Sequence, residues 1–425
     1  MGFKLRLLLL LKLAHCLSAI DYFEELVQDD TNHLIVPLHK YGFANRLRTL
    51  ASFAYFARQI NRKLYVSWTV TQDCSINFDE IFAVSGDIIF GHEVFLFRNK
   101  AQADERARLL ERFMSNATEQ VGEHKILFAH LSGFNFDISP YQKIDKQILI
   151  LRHDGWFING NCLDFFIFKK HFYRSLKLTE DIQDGIDKVW DTLKGRLVVG
   201  IHVRRTDPRH DWPTIASDPE NINYADFNDV ISVDDFVNVM EKISKHVPNA
   251  IFYIATNSVD TKERINKIQH RSLPILKNKL FFLETPPNML NRNTLIGMKL
   301  SIIDFIILSQ TELIVSTYGS SFGQEAAFLG SVPKLLLRYG GHIYYANNML
   351  LPNCNSDQVA LYDNEGIRDM NVRDRIVKVE VYHGKDGHTT SRNIQKKNLP
   401  NRSLSVQKHF CKSFESMWGV SGVYC

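Results

Sequence analysis

The stretch His33–Trp68, HLIVPLHKYGFANRLRTLASFAYFARQINRKLYVSW, decides the fold. His33–Leu38 is short and apolar, as a buried strand is, and a glycine-containing turn follows it. Over Leu47–Asn61 the apolar residues recur every three or four positions, which predicts a helix, and Lys63–Trp68 predicts a second strand. A strand, a helix and a strand in this order form a βαβ unit, so the segment predicts a parallel sheet.

The second half of the chain repeats this alternation of strands and helices. Strands are expected at Leu197–Val203, Ile251–Ala255, Leu280–Leu283, Glu312–Thr317 and Val332–Leu337, and helices at Val233–Lys245, Asp260–His270, Thr294–Gln310 and Gln324–Leu329. A second sheet of this kind predicts an α/β protein with two Rossmann-like domains. Ligands of such sheets bind at the carboxyl ends of the strands, so the turns that follow the strands are where functional residues are expected.

Composition and length indicate an ordinary globular protein of several domains. The chain has 425 residues, of which 45% are hydrophobic and 23% charged, and this excludes a disordered or fibrous protein. A net charge of +4 is too small to indicate a nucleic-acid-binding protein. We expect a signal peptide at 1–19, an N-terminal domain at 20–193, a C-terminal domain at 194–345 and a loop-rich segment at 346–425. Ala101–Gln120 is expected to form a charged surface helix.

The N-terminus has the layout of a secretory signal. Lys4 and Arg6 precede the apolar run Leu7–Leu11, and small residues near Ser18 and Ala19 suit cleavage. A short signal-anchor is the alternative. No later stretch is long and apolar enough to predict a membrane span, so we expect a protein in the lumen of the secretory pathway (Golgi or endoplasmic reticulum) or a secreted one.

The motif Gly200–Asp207, GIHVRRTD, lies at the end of a predicted strand. Strand alternation puts His202 and Arg204 on one side and Arg205 on the other. A guanidinium group at the carboxyl end of a strand is well suited to bind phosphate oxygens in pairs. The alternative is an arginine pair held in salt bridges at a domain surface.

A second motif, Ser316–Gly323 (STYGSSFG), combines a strand end, a hydroxyl-rich turn and a helix start. Backbone N–H groups at a helix N-terminus form an anion site, and serine hydroxyls can add to it. The alternative is an ordinary serine N-cap in a polar loop.

Asp304 stands in an otherwise apolar helical segment. A buried carboxylate needs donors, and the guanine edge offers two parallel ones, N1–H and the 2-amino group. The alternative is a narrow polar stripe that Asp304 shares with Lys299, Ser301 or Gln310.

The turn Tyr41–Arg46 in the first half could also contact a ligand. Gly42 would permit close backbone approach, and Asn45 and Arg46 could donate to a diphosphate or a sugar. The alternative is a plain turn in which Asn45 is the helix N-cap.

Together these segments resemble a known enzyme group. Gly200–Asp207 resembles the nucleotide-sugar motif of the α1,6-, α1,2- and protein O-fucosyltransferases. Ser301–Phe328 is similar to the segment that closes the GDP pocket of core α1,6-fucosyltransferases, and Tyr41–Trp68 resembles the opening unit shared across the group. The resemblance implies a GT-B fold, with two Rossmann-like domains facing each other across a cleft. It also implies GDP-fucose as donor substrate, a glycan or glycoprotein acceptor, inversion at the anomeric carbon, and no metal or other cofactor.

The resemblance also assigns roles to residues. It implies Arg204 and Arg205 at the β-phosphate, His202 on the nucleotide side, Asp304 at the guanine, Ser320, Ser321 and Phe322 at the diphosphate, and Asn45 facing the donor from the other domain. Core α1,6-fucosyltransferases carry a glutamate proposed as base shortly after the arginine motif, and none stands there in this sequence. Asp207 or Asp211 could take that role. A transferase that uses another GDP-sugar and an inactive GT-B protein that binds carbohydrate or a partner are the alternative functions.

Overall fold

A computed structural model describes residues 33–38, 41–84, 94–96, 126–131, 135–136, 141, 148–153, 158–159, 162–205, 231–271, 274–283, 293–338 and 342–346. The expected signal peptide, the helix expected at Ala101–Gln120, both aspartates proposed as base (Asp207 and Asp211) and residues 347–425 lie outside the described residues. Two compact units are present. One consists of Met1–Asp184 and Asn291–Ile302, the other of Gly185–Leu290 and Ile303–Cys425, each over its described residues.

The first unit contains a five-stranded parallel sheet. Its strands are β1 (His33–Leu38), β2 (Lys63–Trp68), β3 (Val94–Leu96), β4 (Ile126–Leu131) and β6 (Ile148–His153), in the order β3-β2-β1-β6-β4. A short parallel pair is formed by β5 (Asn135–Phe136) and β7 (Ile158–Asn159). The helices are α1 (Phe43–Gln59), α2 (Cys162–Ser175) and α3 (Glu180–Leu193), of which α3 crosses the boundary between the units.

The predicted βαβ unit is confirmed, with β1 and β2 parallel and His33 opposite Lys63. Helix α1 begins at Phe43, four residues before the predicted start at Leu47. Gly42 is its N-cap and is extended, with φ −74° and ψ 171°. The first-turn residues Phe43 and Ala44 are buried, so packing extends the helix beyond its periodic part.

Aromatic side chains fill the core between α1 and α2. The Tyr55 ring packs edge-on against Phe165, with 5.6 Å between ring centroids, and lies 5.3 Å from Phe168. Such pairs combine a large buried area with a preferred ring geometry, and they hold the two helices together.

The second unit contains a six-stranded sheet. Its strands are β8 (Leu197–Val203), β9 (Ala250–Thr256), β10 (Leu280–Phe282), β11 (Leu313–Thr317), β12 (Lys334–Arg338) and β13 (His342–Ala346), in the order β10-β9-β8-β11-β12-β13. All neighbours are parallel except the pair β12 and β13. The helices are α4 (Val233–His246), α5 (Val259–Arg271), α6 (Leu295–Ser309) and α7 (Ser321–Gly330), of which α6 begins in the first unit and continues into the second from Ile303. The predicted α/β class is confirmed by these two sheets.

Strand β8 is buried along its whole length and has helices on both faces. Val199, Ile201 and Val203 pack in one core cluster with Phe236 of α4 and Ile265 of α5. On the opposite face the strand approaches α6 so closely that a Cβ at Gly200 would lie 2.7 Å from Leu308 Cδ2. The alternation predicted for this strand is confirmed: odd-numbered residues face α4 and α5, while on the other face Gly200 lies against α6 and His202 against α7.

The boundary between the units lies nine residues before the expected end of the N-terminal domain at 193. Gly185 of α3 lies so close to α6 that a Cβ there would come within 2.5 Å of Ile303 Cδ1. The later part of α3 therefore belongs with the second unit. Residues 291–302 belong with the first, where Lys299 pairs with Asp181. Within the described ranges, no helix has the length and apolarity needed to cross a membrane.

Candidate functional site

The predicted site residues of the second unit gather where β8 and β11 end. Ser316 lies opposite His202 in the parallel register. The backbone N–H of Arg204 donates to Thr317 Oγ1 at 2.9 Å, and that hydroxyl donates to the His202 carbonyl at 3.4 Å. Arg204 is thus anchored through its backbone, and its half-buried side chain begins at the carboxyl edge of the sheet.

His202 is buried beneath the start of α7. Its Nδ1 lies 3.0 Å from Ser316 Oγ, and its ring stacks on Phe322 with 5.0 Å between centroids. Burial, followed by the nearby charge of Arg204, lowers the pKa of His202 to about 3. The imidazole is therefore neutral at physiological pH and serves as a fixed hydrogen-bonding group rather than a cation.

A glycine permits this close packing of α7 on the sheet. A Cβ at Gly323 would lie 2.1 Å from Ser316 Oγ and 3.1 Å from His202 Nδ1. Real Cβ atoms do not approach a neighbour that closely, so any side chain at Gly323 would push the helix start away from both groups.

The first turn of α7 presents backbone donors at the same edge. Gly319 adopts the left-handed conformation with φ +79°, which turns the chain, and Ser320 follows as an extended N-cap without a side-chain capping hydrogen bond. The first intrahelical bond runs from Gln324 N to the Ser320 carbonyl, at 3.2 Å. The N–H groups of Ser321, Phe322 and Gly323 come before this first intrahelical hydrogen bond. Backbone N–H groups at the start of a helix are the groups that bind anions.

Asp304 is the neighbour in sequence of a residue that contacts this cluster. Phe305, the next residue of α6, packs edge-on against Phe322 with 5.2 Å between centroids. The Tyr253 hydroxyl donates to Asp304 Oδ1 at 2.5 Å. Burial raises the pKa of Asp304 to about 7, although the hydrogen bond from Tyr253 and the charge of Lys262 both lower it.

Arg205 is anchored differently from Arg204. Its backbone N–H donates to Asn257 Oδ1 at 2.8 Å, and Asn257 Nδ2 donates back to the Arg205 carbonyl at 3.0 Å. Its guanidinium donates from Nε to Thr261 Oγ1 at 3.2 Å and from Nη1 to the Ile231 carbonyl at 2.7 Å. The Arg205 guanidinium, expected at a phosphate, therefore holds the starts of α4 and α5.

The Tyr41–Arg46 turn belongs to the first unit, and its arginine is used internally. The Arg46 guanidinium is 1% exposed and donates to the carbonyls of Tyr41 (2.9 Å) and Thr69 and to Thr71 Oγ1 (2.7 Å). It also lies 5.2 Å from the centroid of the Trp68 ring. The expectation that Arg46 donates to a diphosphate is wrong, because these donors already bind the chain itself.

Asn45 is the third residue of α1 and not its N-cap, which is Gly42. Its carbonyl accepts from Thr49 Oγ1 at 2.8 Å. Its side-chain oxygen Oδ1 is buried without a hydrogen-bond partner. An orphaned buried acceptor is costly, so this oxygen is the feature of the turn that a ligand hydroxyl could satisfy.

The sequence therefore locates most of the cluster, and the structure adds Tyr253, Thr317 and Asn257 to it. Tyr253 had a readable signal: a phenol in the middle of the apolar strand AIFYIAT needs a partner for its hydroxyl. Among the residues that the structure describes, no three His, Cys, Asp or Glu side chains are grouped as a metal site requires.

Comparisons with known proteins find similarity only among solved structures. No protein-family model matches the chain, and no curated protein sequence matches it. The chain is similar to a mutant of Arabidopsis thaliana FUT1 in complex with GDP, at 16% identity, over 73% of this chain and 70% of that one, with a TM-score of 0.49.

It is also similar to fucosyltransferase NodZ from Bradyrhizobium, at 17% identity, over 75% of this chain and 99% of that one, with a TM-score of 0.43. For POFUT1 in complex with GDP the identity is 12%, the coverage 74% and 100%, and the TM-score 0.42.

Proposed function

We propose that this chain is a glycosyltransferase that transfers fucose from GDP-fucose to a hydroxyl group of a glycan or glycoprotein. The observation that carries the proposal is the cluster at the carboxyl ends of β8 and β11. There, Arg204, the neutral His202 and the uncapped first turn of α7 come together, and Phe305, the residue after Asp304, packs against Phe322 of that turn. The motif resemblance supplies the identity of the sugar nucleotide.

In the proposed mechanism, Arg204 and the N–H groups of α7 bind the diphosphate. The bond between the sugar and the β-phosphate breaks as negative charge grows on the departing oxygen. Fixed donors aimed at that charge lower the barrier, because they need no reorganisation during the reaction. Arg205 acts as a positioning residue in this proposal, since its guanidinium bonds to Thr261 and Ile231.

Asp304 recognises the guanine in the proposed complex. Its carboxylate accepts the N1–H and 2-amino protons together, which adenine and the pyrimidine bases do not offer in the same pattern. Because burial raises its pKa to about 7, we expect the ionised form to be further stabilised when those two donors are present.

The acceptor hydroxyl gives its proton to a carboxylate as its oxygen bonds to the anomeric carbon. The sequence offers Asp207 and Asp211 for this role. By resemblance the transfer inverts the anomeric carbon and takes place in the lumen of the secretory pathway.

A donor and acceptor screen tests the proposal on the purified full chain. GDP-fucose, GDP-mannose and UDP-sugars are incubated with an array of glycan acceptors, and the released nucleoside diphosphate is measured. We expect acceptor-dependent release of GDP from GDP-fucose. Faster release from GDP-mannose would favour another GDP-sugar, and GDP binding without release on any acceptor would favour an inactive binding protein.

A further inference from the structure

We propose that Tyr253 is a positioning residue that holds the Asp304 carboxyl in place for the nucleotide base. The inference rests on the proposed function, since it takes Asp304 as the guanine acceptor. Tyr253 itself contacts no substrate in this proposal and acts only through Asp304.

The fold brings the two residues together from distant parts of the second unit. Tyr253 is 1% exposed, lies within β9 and stands opposite Gly200 of β8 in the parallel register. Gly200 has no side chain, and a Cβ there would clash with Leu308 at 2.7 Å and approach Thr311 Oγ1 to 3.0 Å. The end of α6 therefore lies close to the sheet, and the phenol of Tyr253 reaches Asp304 on that helix.

The hydrogen bond leaves the carboxylate able to recognise guanine. The phenol has one proton, and it is donated to Asp304 Oδ1. Each carboxylate oxygen has two acceptor positions, so Oδ1 retains one and Oδ2 retains both. A donor fixed on one oxygen also restricts rotation of the carboxyl group, and this presents the two oxygens side by side, as a bidentate base contact requires.

The same bond favours the ionised carboxyl. The charged and titratable groups that act on Asp304 are Tyr253 from β9 and Lys262 from α5, whose Nζ donates to the Leu283 carbonyl at 2.9 Å. Both lower the pKa of Asp304, while burial raises it to about 7. Tyr253→Phe removes the hydrogen bond to Asp304, so the pKa of Asp304 should rise. Less of this residue should then be ionised near neutral pH.

Calorimetric titration with GDP-fucose, without acceptor, at pH 6 and pH 8 tests the inference. The doubly esterified diphosphate of GDP-fucose does not titrate in this range. Any dependence of the affinity on pH therefore comes from groups of the protein. A hydrogen bond to a charged group is worth about a factor of ten. We therefore expect the Tyr253→Phe chain to bind about tenfold more weakly than the wild type at pH 6 and about twofold more weakly at pH 8.

The matched control is Tyr173→Phe, which removes a buried phenol hydroxyl from the first unit and should leave both affinities unchanged. A second probe is inosine diphosphate, which lacks the 2-amino group. The preference of the wild type for GDP over inosine diphosphate, about tenfold for one such contact, should shrink in Tyr253→Phe.

The outcomes separate the two proposals. Tight binding of GDP-fucose by the wild type, with the same pH profile and base preference in Tyr253→Phe, overturns the role of Tyr253 and leaves the proposed function standing. No binding by the wild type at either pH overturns both. If Tyr253→Phe does not fold, the wild type still decides against the inference when it binds GDP and inosine diphosphate equally, because Asp304 then makes no bidentate base contact for Tyr253 to position.

Discussion

Arg46 and Arg204 both stand near the carboxyl end of an inner strand of a parallel sheet, one in each unit, and they are anchored in opposite ways. The guanidinium of Arg46 is buried and bonded to two carbonyls and a hydroxyl of its own unit. Arg204 is bonded to Thr317 through its backbone N–H, and its side chain is half-buried. A guanidinium that is almost fully buried and bonded to its own unit acts in stability, whereas the half-buried Arg204 at the carboxyl end of β8 is the one we propose for a ligand.

The largest effect on activity is expected at Arg204. Arg204→Ala should lower the transfer rate about 100- to 1,000-fold, because one fixed donor to the developing charge is lost. The backbone hydrogen bond of residue 204 to Thr317 remains in this variant, so the protein should still fold, and its melting temperature is measured alongside the rate. Arg264→Ala, which removes an exposed ion pair with Asp234, is the control. Transfer at the wild-type rate in Arg204→Ala would contradict the proposal that Arg204 binds the diphosphate.

At Arg46 the large effect should be on stability. Arg46→Leu leaves the carbonyls of Tyr41 and Thr69 without their buried donor, and each orphaned acceptor costs about 1–3 kcal/mol. We expect the free energy of unfolding of the first unit to fall by about 2–5 kcal/mol, measured by urea denaturation. If the free energy of unfolding falls by less than about 1 kcal/mol, the buried hydrogen bonds of the Arg46 guanidinium do not stabilise the first unit as we expect.

Asp304 should show the free-energy cost of desolvating a carboxylate. Its folded pKa of about 7 is raised, so the protonated form fits the fold and the wild type loses stability as pH rises from about 4 through 7. Asp304→Asn should therefore be more stable than the wild type at pH 8, by up to about 4 kcal/mol, and nearly equal to it at pH 4. Chemical denaturation of the wild type and of Asp304→Asn at pH 4 and pH 8 measures these differences in the free energy of unfolding. Equal stability at pH 8 would contradict the account of Asp304.

A smaller effect is expected at Gly323. Gly323→Ala inserts a methyl group against Ser316 Oγ and should cost about 1–3 kcal/mol, as overpacking of a close contact does. The double variant Gly323→Ala, Ser316→Gly opens space for that methyl group and should recover part of the loss. Thermal unfolding of the two variants measures the difference, and equal melting temperatures for the single and the double variant would argue against this packing.

Much of the fold is predictable because the strands are apolar blocks between turn residues. The observed bounds of β1, β2 and β8 coincide with the predicted ones. Helix ends differ, because they depend on caps and packing: α7 begins at Ser321 rather than Gln324. The three-residue β3 gives no usable pattern, whereas β4 (ILFAHL) and β6 (ILILRH) are apolar blocks whose signal the sequence analysis missed.

The site is less predictable, because its geometry joins residues far apart in the sequence. Motif and position bring His202, Arg204 and the Ser320–Phe322 turn together, as the structure does. The separation of Arg204 from Arg205 depends on which helices cover the two faces of β8, and the pairing of Tyr253 with Asp304 spans 51 residues. Such contacts follow from packing in three dimensions: the apolar strand around Tyr253 shows that its hydroxyl needs a partner, but not which residue that partner is.

Hydrogen–deuterium exchange of the full chain with and without GDP tests the central claim most directly. The account predicts slower exchange at the ends of β8 and β11 and in the first turn of α7, over residues 202–205 and 317–324, and little change around Arg46. Protection confined to other parts of the chain, or none at saturating GDP, would contradict it.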